Sequence, residues 1–418
     1  MARQDIVASP WPRRCDCDSG KPMAAPHSAL FLAGGTWAIV AVALVSWNTG
    51  FEIPQSPLGS LVAWHAHEMV FGFAAAMFAG YALTAMTSWR DKPTLSRLAL
   101  TVLLSLWCLA RIIAAGLLGS APALVAGGAS AFMVAVAWLL LRAAFDAASS
   151  KGAVIGLFAL AMAGAQIATL SGAIPSRIPV LGFAALLSVI GGRMVAAFTW
   201  NRVAGSRDVG QRFKVARLAS VPAAGAILLA LALETLGAPW QALLPCLLLA
   251  AAAEALRLLL WLSAQTLKDG LLGLLHMGYA WLPLGLFLAV LSTIPGAILA
   301  KSDTIHALAA GAIAGSIYAV AARAVARRAD RLCPSLIDIG GGVLLSAAAA
   351  LRVFAQIDTV WYAAAPAIWC TAWAAFVLRQ GTAALQPLPR PVFSGKKCPT
   401  CGIPDQKQHK TTVKYYKR

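Results

Sequence analysis

The chain has 418 residues, of which 60% are hydrophobic and 12% charged, with a mean hydropathy of +0.74. A water-soluble protein carries about 25% charged residues, so lipid is the solvent for most of this surface. The apolar runs lack the alternation of an outer-membrane barrel. The formal net charge of +18 lies mostly in short connections and the two tails, which is the pattern of a membrane protein and not of a nucleic-acid binder.

Residues 1–27 read as a cytoplasmic tail without fixed structure that contains Cys15-Asp16-Cys17. The first apolar run has no small-residue cleavage site, so it is expected to stay as a span and not to be removed as a secretory signal. Apolar runs follow near 28–48, 61–88, 95–118, 121–145, 152–173 and 177–199. A basic segment (Arg202, Arg207, Arg212, Lys214, Arg217) precedes a second set near 213–236, 239–263, 269–293, 303–326, 335–354 and 360–379. The expected fold is all-α, a polytopic integral membrane helical bundle of about 12 transmembrane helices over residues 28–380. Its halves cover about 28–199 and 213–380, with no sequence repeat between them. Residues 381–418 form a basic tail with a Cys-x-x-Cys motif.

Orientation follows from Lys and Arg in alternate connections. One side collects the N-terminal tail, Arg90, Lys92, Arg97, Arg142, Lys151, the central basic segment, Lys268, Arg323, Arg327, Arg328, Arg331 and the C-terminal tail. The other holds little beyond Arg177 and Lys301. Both termini are therefore expected in the cytoplasm.

Ionisable groups inside a span cost a few kcal/mol each and face the bundle interior. Here they are His65, His67 and Glu68 at the start of the second run, Arg111 in the third and Arg193 in the sixth. Glu254 and Arg257 share the eighth, His276 lies in the ninth, and His306 opens the tenth after Asp303. Glu254 and Arg257, three residues apart, read as a local ion pair. A buried imidazole is neutral and offers a strong ligand nitrogen. His65 and His67 lie about 200° apart on a regular helix, so they are expected to address two centres, or one to ligate while the other orients. Glu68, at i+3 from His65, shares its face and is expected to accept that imidazole's proton as a supporting partner.

His65, His67 and His306 are expected in the outer layer, with His276 deeper. Two metal centres of differing depth suit this layout, as does one haem with axial imidazoles plus one copper. Gly72, Gly80, Gly278, Gly311 and Gly315 would permit close approach of a macrocycle or of a neighbouring helix. Cys108, Cys246, Cys370 and Cys333 read as small core residues. Cys15, Cys17, Cys398 and Cys401 could meet as a soft-metal site if both tails share one compartment.

Five blocks carry a resemblance to a known family. They are Trp64-His65-Ala66-His67-Glu68-Met69-Val70-Phe71-Gly72-Phe73, with Gly80-Tyr81-Ala82 downstream; Leu106-Trp107-Cys108-Leu109-Ala110-Arg111; Gly191-Gly192-Arg193-Met194; Leu275-His276-Met277-Gly278-Tyr279; and Ile305-His306-Ala307-Leu308. In this order they resemble the NnrS family over roughly residues 28–380. Met194 and both tails depart from its usual pattern.

The resemblance implies a bacterial inner-membrane protein that binds haem b and copper. It also implies a role in the response to nitric oxide or a related reactive nitrogen species, and in protection from nitrosative stress. It makes His65, His67, His276 and His306 the leading ligand candidates for haem and metal, with Arg111 and Arg193 as cofactor-binding support. Which histidine serves which metal stays open. Binding is better supported than catalysis, because no flavin fingerprint or second haem motif appears. A twelve-span transporter of a metal or proton-coupled solute is the competing reading. A third is an assembly factor that delivers metal to a reductase.

Overall fold

The computed structural model describes residues 26–47, 56–86, 95–204, 207–294, 296, 299–328, 331–332, 335–355 and 359–384. Cys15, Cys17, Cys333, Cys398 and Cys401 lie outside the described residues, and with them the expected tail site.

Twelve long helices follow the expected runs. They are α1 (Pro26–Ser46), α2 (Leu61–Ala85), α3 (Arg97–Ala114), α4 (Pro122–Asp146), α5 (Ser150–Leu170) and α6 (Arg177–Val203), then α7 (Arg207–Thr235), α8 (Trp240–Trp261), α9 (Gly270–Thr293), α10 (Lys301–Ala326), α11 (Leu336–Phe354) and α12 (Thr359–Ala384). Among the described residues, α1 to α11 are long and apolar enough to cross a membrane. A one-turn helix, Ala264–Leu267, links α8 to α9. A two-residue antiparallel ladder pairs Arg327 with Leu332 and Arg328 with Arg331 after α10.

Local chemistry marks the helix ends. Ser96 and Ser149 cap α3 and α5 by accepting from the amides of Ala99 and Gly152. Asp269 caps α9, and Ser335 with Asp338 forms a capping box on α11. Gly172 and Gly237 close α5 and α7 with φ of 73° and 69°, the left-handed region where glycine ends a helix without penalty.

Sequential neighbours pack as antiparallel pairs, α4 with α5, α7 with α8 and α11 with α12. Helix α1 packs against both α2 and α12, which closes the bundle around its own termini. The most enclosed helices are α2, 89% buried over its apolar window, and α9 and α10, each 67%. The other eight spans lie between 33% and 44%. These three central helices carry all four candidate histidines. At one crossing of α9 with α10 the backbones meet: a Cβ on Gly278 would lie 2.7 Å from the Gly315 carbonyl carbon. Helix packing, and not space for a macrocycle, therefore occupies Gly278 and Gly315. Gly311 likewise lies against the Trp281 ring, and Gly80 against Phe31.

The cysteines correct one expectation. Cys108 is exposed on the outside of α3, while Cys246 and Cys370 are only half-buried. An apolar run in a membrane protein has a lipid-facing side as well as a core side, and a thiol is tolerated on either.

Candidate metal centre and buried ion clusters

Three helices leave the α pattern in mid-span. The turns widen to π geometry over Glu68–Ala74 in α2, Leu187–Gly191 in α6 and Ala307–Ala314 in α10. Such bulges are rare and concentrate at functional sites. Here one begins directly after His67, one ends beside Gly192 and Arg193, and one begins directly after His306.

The first cluster is built on the bulge of α2. His67 and Glu68 are both completely buried. His67 Nδ1 lies 2.9 Å from Glu68 Oε1, while Arg111 and Trp37 donate to Glu68 Oε2 at 2.7 Å each. The far nitrogen of His67 lies 3.3 Å from the Gln166 amide nitrogen, and Phe71 packs on the ring with centroids 5.0 Å apart. Gly72 makes room for this arrangement, since a Cβ there would lie 2.4 Å from the Arg111 guanidinium. Arg111 also sits over the Trp107 ring at 5.8 Å. Two buried donors remain without an acceptor, Arg111 Nε and Trp64 Nε1.

This geometry corrects the pairing expected for Glu68. The carboxylate serves His67, its neighbour in sequence, and not His65. The i+3 argument presumes α register, and the register changes at Glu68 itself. His65 instead places Nδ1 3.2 Å from the carbonyl of Ala41 in α1. The two imidazoles thus have separate partners, as their spacing requires.

His306 Nδ1 lies 2.6 Å from the Ser302 carbonyl, one turn back. His306 also lies within electrostatic range of His65, and both lie within range of Arg352. Arg352 pairs with Asp303 at 2.5 Å. One rim of the bundle therefore gathers His65, His306, Asp303 and Arg352 from three helices.

His276 stands apart, six residues into α9, about 9 Å along its axis. That is about midway between the start of this 24-residue helix and its centre. Its Nδ1 lies 3.0 Å from the Leu272 carbonyl, and its Nε2 lies 3.3 Å from the hydroxyl of Thr199 in α6.

One rule covers all four candidates. A carbonyl or carboxylate oxygen can only accept, so each Nδ1 is the donor and, in a neutral ring, Nε2 is the unprotonated nitrogen; the Thr199 hydroxyl that faces Nε2 of His276 already donates to the Val195 carbonyl. An Nδ1–H anchored to backbone or carboxylate oxygen is how a ligand imidazole is oriented and its tautomer fixed. Arg193, by contrast, is exposed and makes no side-chain hydrogen bond among the described residues, so neither cluster includes it. No group of three His, Cys, Asp or Glu side chains suited to a metal ion occurs among the described residues.

The second cluster lies at the bulge of α6. Glu254 is completely buried and receives Arg257 NH1 at 2.9 Å on both oxygens, with Tyr279 donating to Oε2 and Ser188 to Oε1. Arg257 also donates to the Ser188 carbonyl at 3.2 Å and stacks on Trp261 at 5.0 Å. Gly192 lies beneath it, where a Cβ would meet the guanidinium at 2.1 Å. The local pair expected from sequence is present, but three helices share it.

Sequence reasoning missed Trp37, Gln166, Ser188, Thr199 and Tyr279. Gln166 carried a signal, being a lone amide within an apolar run. His27, placed at the edge of the tail, is buried with Nδ1 3.3 Å from the Thr84 hydroxyl.

Residues 22–387 match the sequence profile of the family described as NnrS protein. The match covers most of the chain, which therefore belongs to the NnrS family and is related in function to the nitric oxide response. A comparison with curated proteins gave no match.

Proposed function

We propose that this NnrS-family protein is a bacterial inner-membrane haem- and copper-binding protein of the response to nitrosative stress, using intramembrane histidines as ligands. The observation that carries the reading is the shared anchoring of the rings: each of the four imidazoles has Nδ1 within hydrogen-bond distance of a carbonyl or carboxylate oxygen, which leaves Nε2 as the nitrogen available to a metal.

The donor set suits haem better than a metal that needs a complete protein cage. Haem iron takes one or two axial imidazoles, and no group of three ligands occurs among the described residues. The acceptor-free Nε of Arg111 and Nε1 of Trp64 suit an anionic group arriving beside His67, as propionates require. His65 and His306, which share one rim, are the residues that would hold a copper ion, with further donors from the incoming ligand. Haem held by such imidazoles would supply an iron able to bind nitric oxide.

The protein's own part is narrower. Glu68 fixes the His67 ring and Arg111 neutralises Glu68, while Gln166 holds the site of the lone pair until a ligand replaces it. In this reading both termini face the cytoplasm and the His65–His306 rim faces outward, which the distribution of Lys and Arg among the connections supports.

The test is an absorption spectrum with metal analysis of protein expressed with haem and copper supplied. It is repeated for His65→Ala, His67→Ala, His276→Ala and His306→Ala. Loss of the haem band or of copper in individual variants is expected. If none of the four lowers either content, the assignment fails. Saturable solute flux in liposomes by metal-free protein would instead favour a carrier.

A further inference from the structure

The basic segment between the halves has no part in the metal reading, yet it borders a sizeable pocket. A cavity of about 540 Å³ opens where the end of α6, the first turns of α7 and the end of α8 meet the one-turn helix Ala264–Leu267. That volume is in the range of pockets that hold small organic ligands. Arg202 and Arg212 line it together with Phe213, Trp261, Ser263 and Gln265, and no carboxylate is among the lining residues.

The two arginines differ in how they are held. Arg212 is anchored, donating to the carbonyls of Leu259 and Leu262 at 3.2 and 3.0 Å, which caps the end of α8. Arg202 is exposed and has no side-chain partner among the described residues. One guanidinium is thus fixed and the other is free to close on an anion. The surroundings are amphiphilic: Trp261 and Phe213 form an aromatic wall, and Trp200 stacks edge-on against Phe213 at 5.1 Å. Val215 and Leu259, adjoining the arginine on α7 and α8, expose apolar surface outward. The pocket lies at helix ends, so it sits at interfacial depth, on the side of the bundle that gathers the basic connections.

We propose that this pocket binds the phosphate headgroup of an anionic phospholipid, with its acyl chains along the outward apolar faces of α7 and α8. Cationic pockets between spans on the basic side recognise such headgroups, and aromatic side chains favour the same depth. A bare phosphate would meet the arginines but would leave the aromatic wall and the apolar flank without a role.

The experiment uses the full chain in nanodiscs containing equal parts of phosphatidylglycerol and phosphatidylcholine. Lipids retained on release are counted by native mass spectrometry. The wild type is expected to retain phosphatidylglycerol preferentially at one site. Arg202→Gln lowers that retention about fivefold, the effect of one interfacial cation, and Lys151→Gln on another basic connection leaves it unchanged. Ala264→Glu places a like charge in the wall and is expected to abolish the preference. This variant decides the matter if Arg202→Gln proves less stable in pure phosphatidylcholine. No preference in the wild type, or equal retention in Arg202→Gln, Ala264→Glu and Lys151→Gln, overturns the proposal. A rise in melting temperature with millimolar inorganic phosphate in phosphatidylcholine discs, as large as that given by phosphatidylglycerol, also overturns it by making free phosphate the ligand.

Discussion

Glu68 and Glu254 are both completely buried, and each is held in nearly the same way. An arginine neutralises each carboxylate, a tryptophan one helical turn from the arginine stacks on it, a π-bulge lies alongside, and a glycine clears the space. They differ in what completes them. Glu254 is finished by the hydroxyls of Ser188 and Tyr279, which can only hydrogen-bond. Glu68 is finished by an imidazole whose other nitrogen faces the Gln166 amide. The same ionic scaffold therefore serves as a staple in one place and orients an imidazole in the other, the ring to which the proposed function gives a ligand role.

The largest expected effect breaks the likeness between them. Arg257→Met strands a buried carboxylate and should cost about 3–5 kcal/mol of stability, read by denaturant titration, with haem per folded molecule unchanged. Arg111→Met should cost a similar amount and also lower haem content. Equal haem loss in both would erase the distinction.

Next in size, pairing Arg257→Met with Glu254→Gln should recover most of the loss, because no uncompensated charge remains. A strictly additive double mutant would count against charge stranding. Gly72→Ala and Gly192→Ala each drive a methyl into a guanidinium and should cost about 1–3 kcal/mol, seen as a lower melting temperature. Smallest is Tyr279→Phe, at about 1 kcal/mol. Its counterpart Gln166→Leu should leave stability nearly unchanged but shift the haem absorption band, since it alters only what faces His67 Nε2. An unshifted spectrum would remove His67 from the ligands.

The sequence made the helices legible because lipid tolerates little else, and it made the histidines legible because polar groups in lipid are costly and therefore few. It showed the Glu254–Arg257 pair through spacing alone. The partner of Glu68 was not legible, since nothing in Glu-Met-Val-Phe-Gly-Phe-Ala marks a change from α to π register. Nor does a single chain show which distant helix brings Trp37 to Glu68 or Gln166 to His67, because those contacts are set by packing across 31 and 99 residues.

The bulge in α10 has a consequence for how this protein can vary. It lies between His306 and Gly315, that is, between a candidate ligand and the seam where α9 and α10 touch backbone to backbone. A turn that already accommodates a surplus residue can lose one by a single in-frame codon deletion. The widened turn would then close to ordinary α geometry, with His306 on one side and the seam on the other both kept in place. The stretch Ala307–Ala314 thus acts as an expansion joint, which can take up or give back a residue while His306 and the interior seam keep their places.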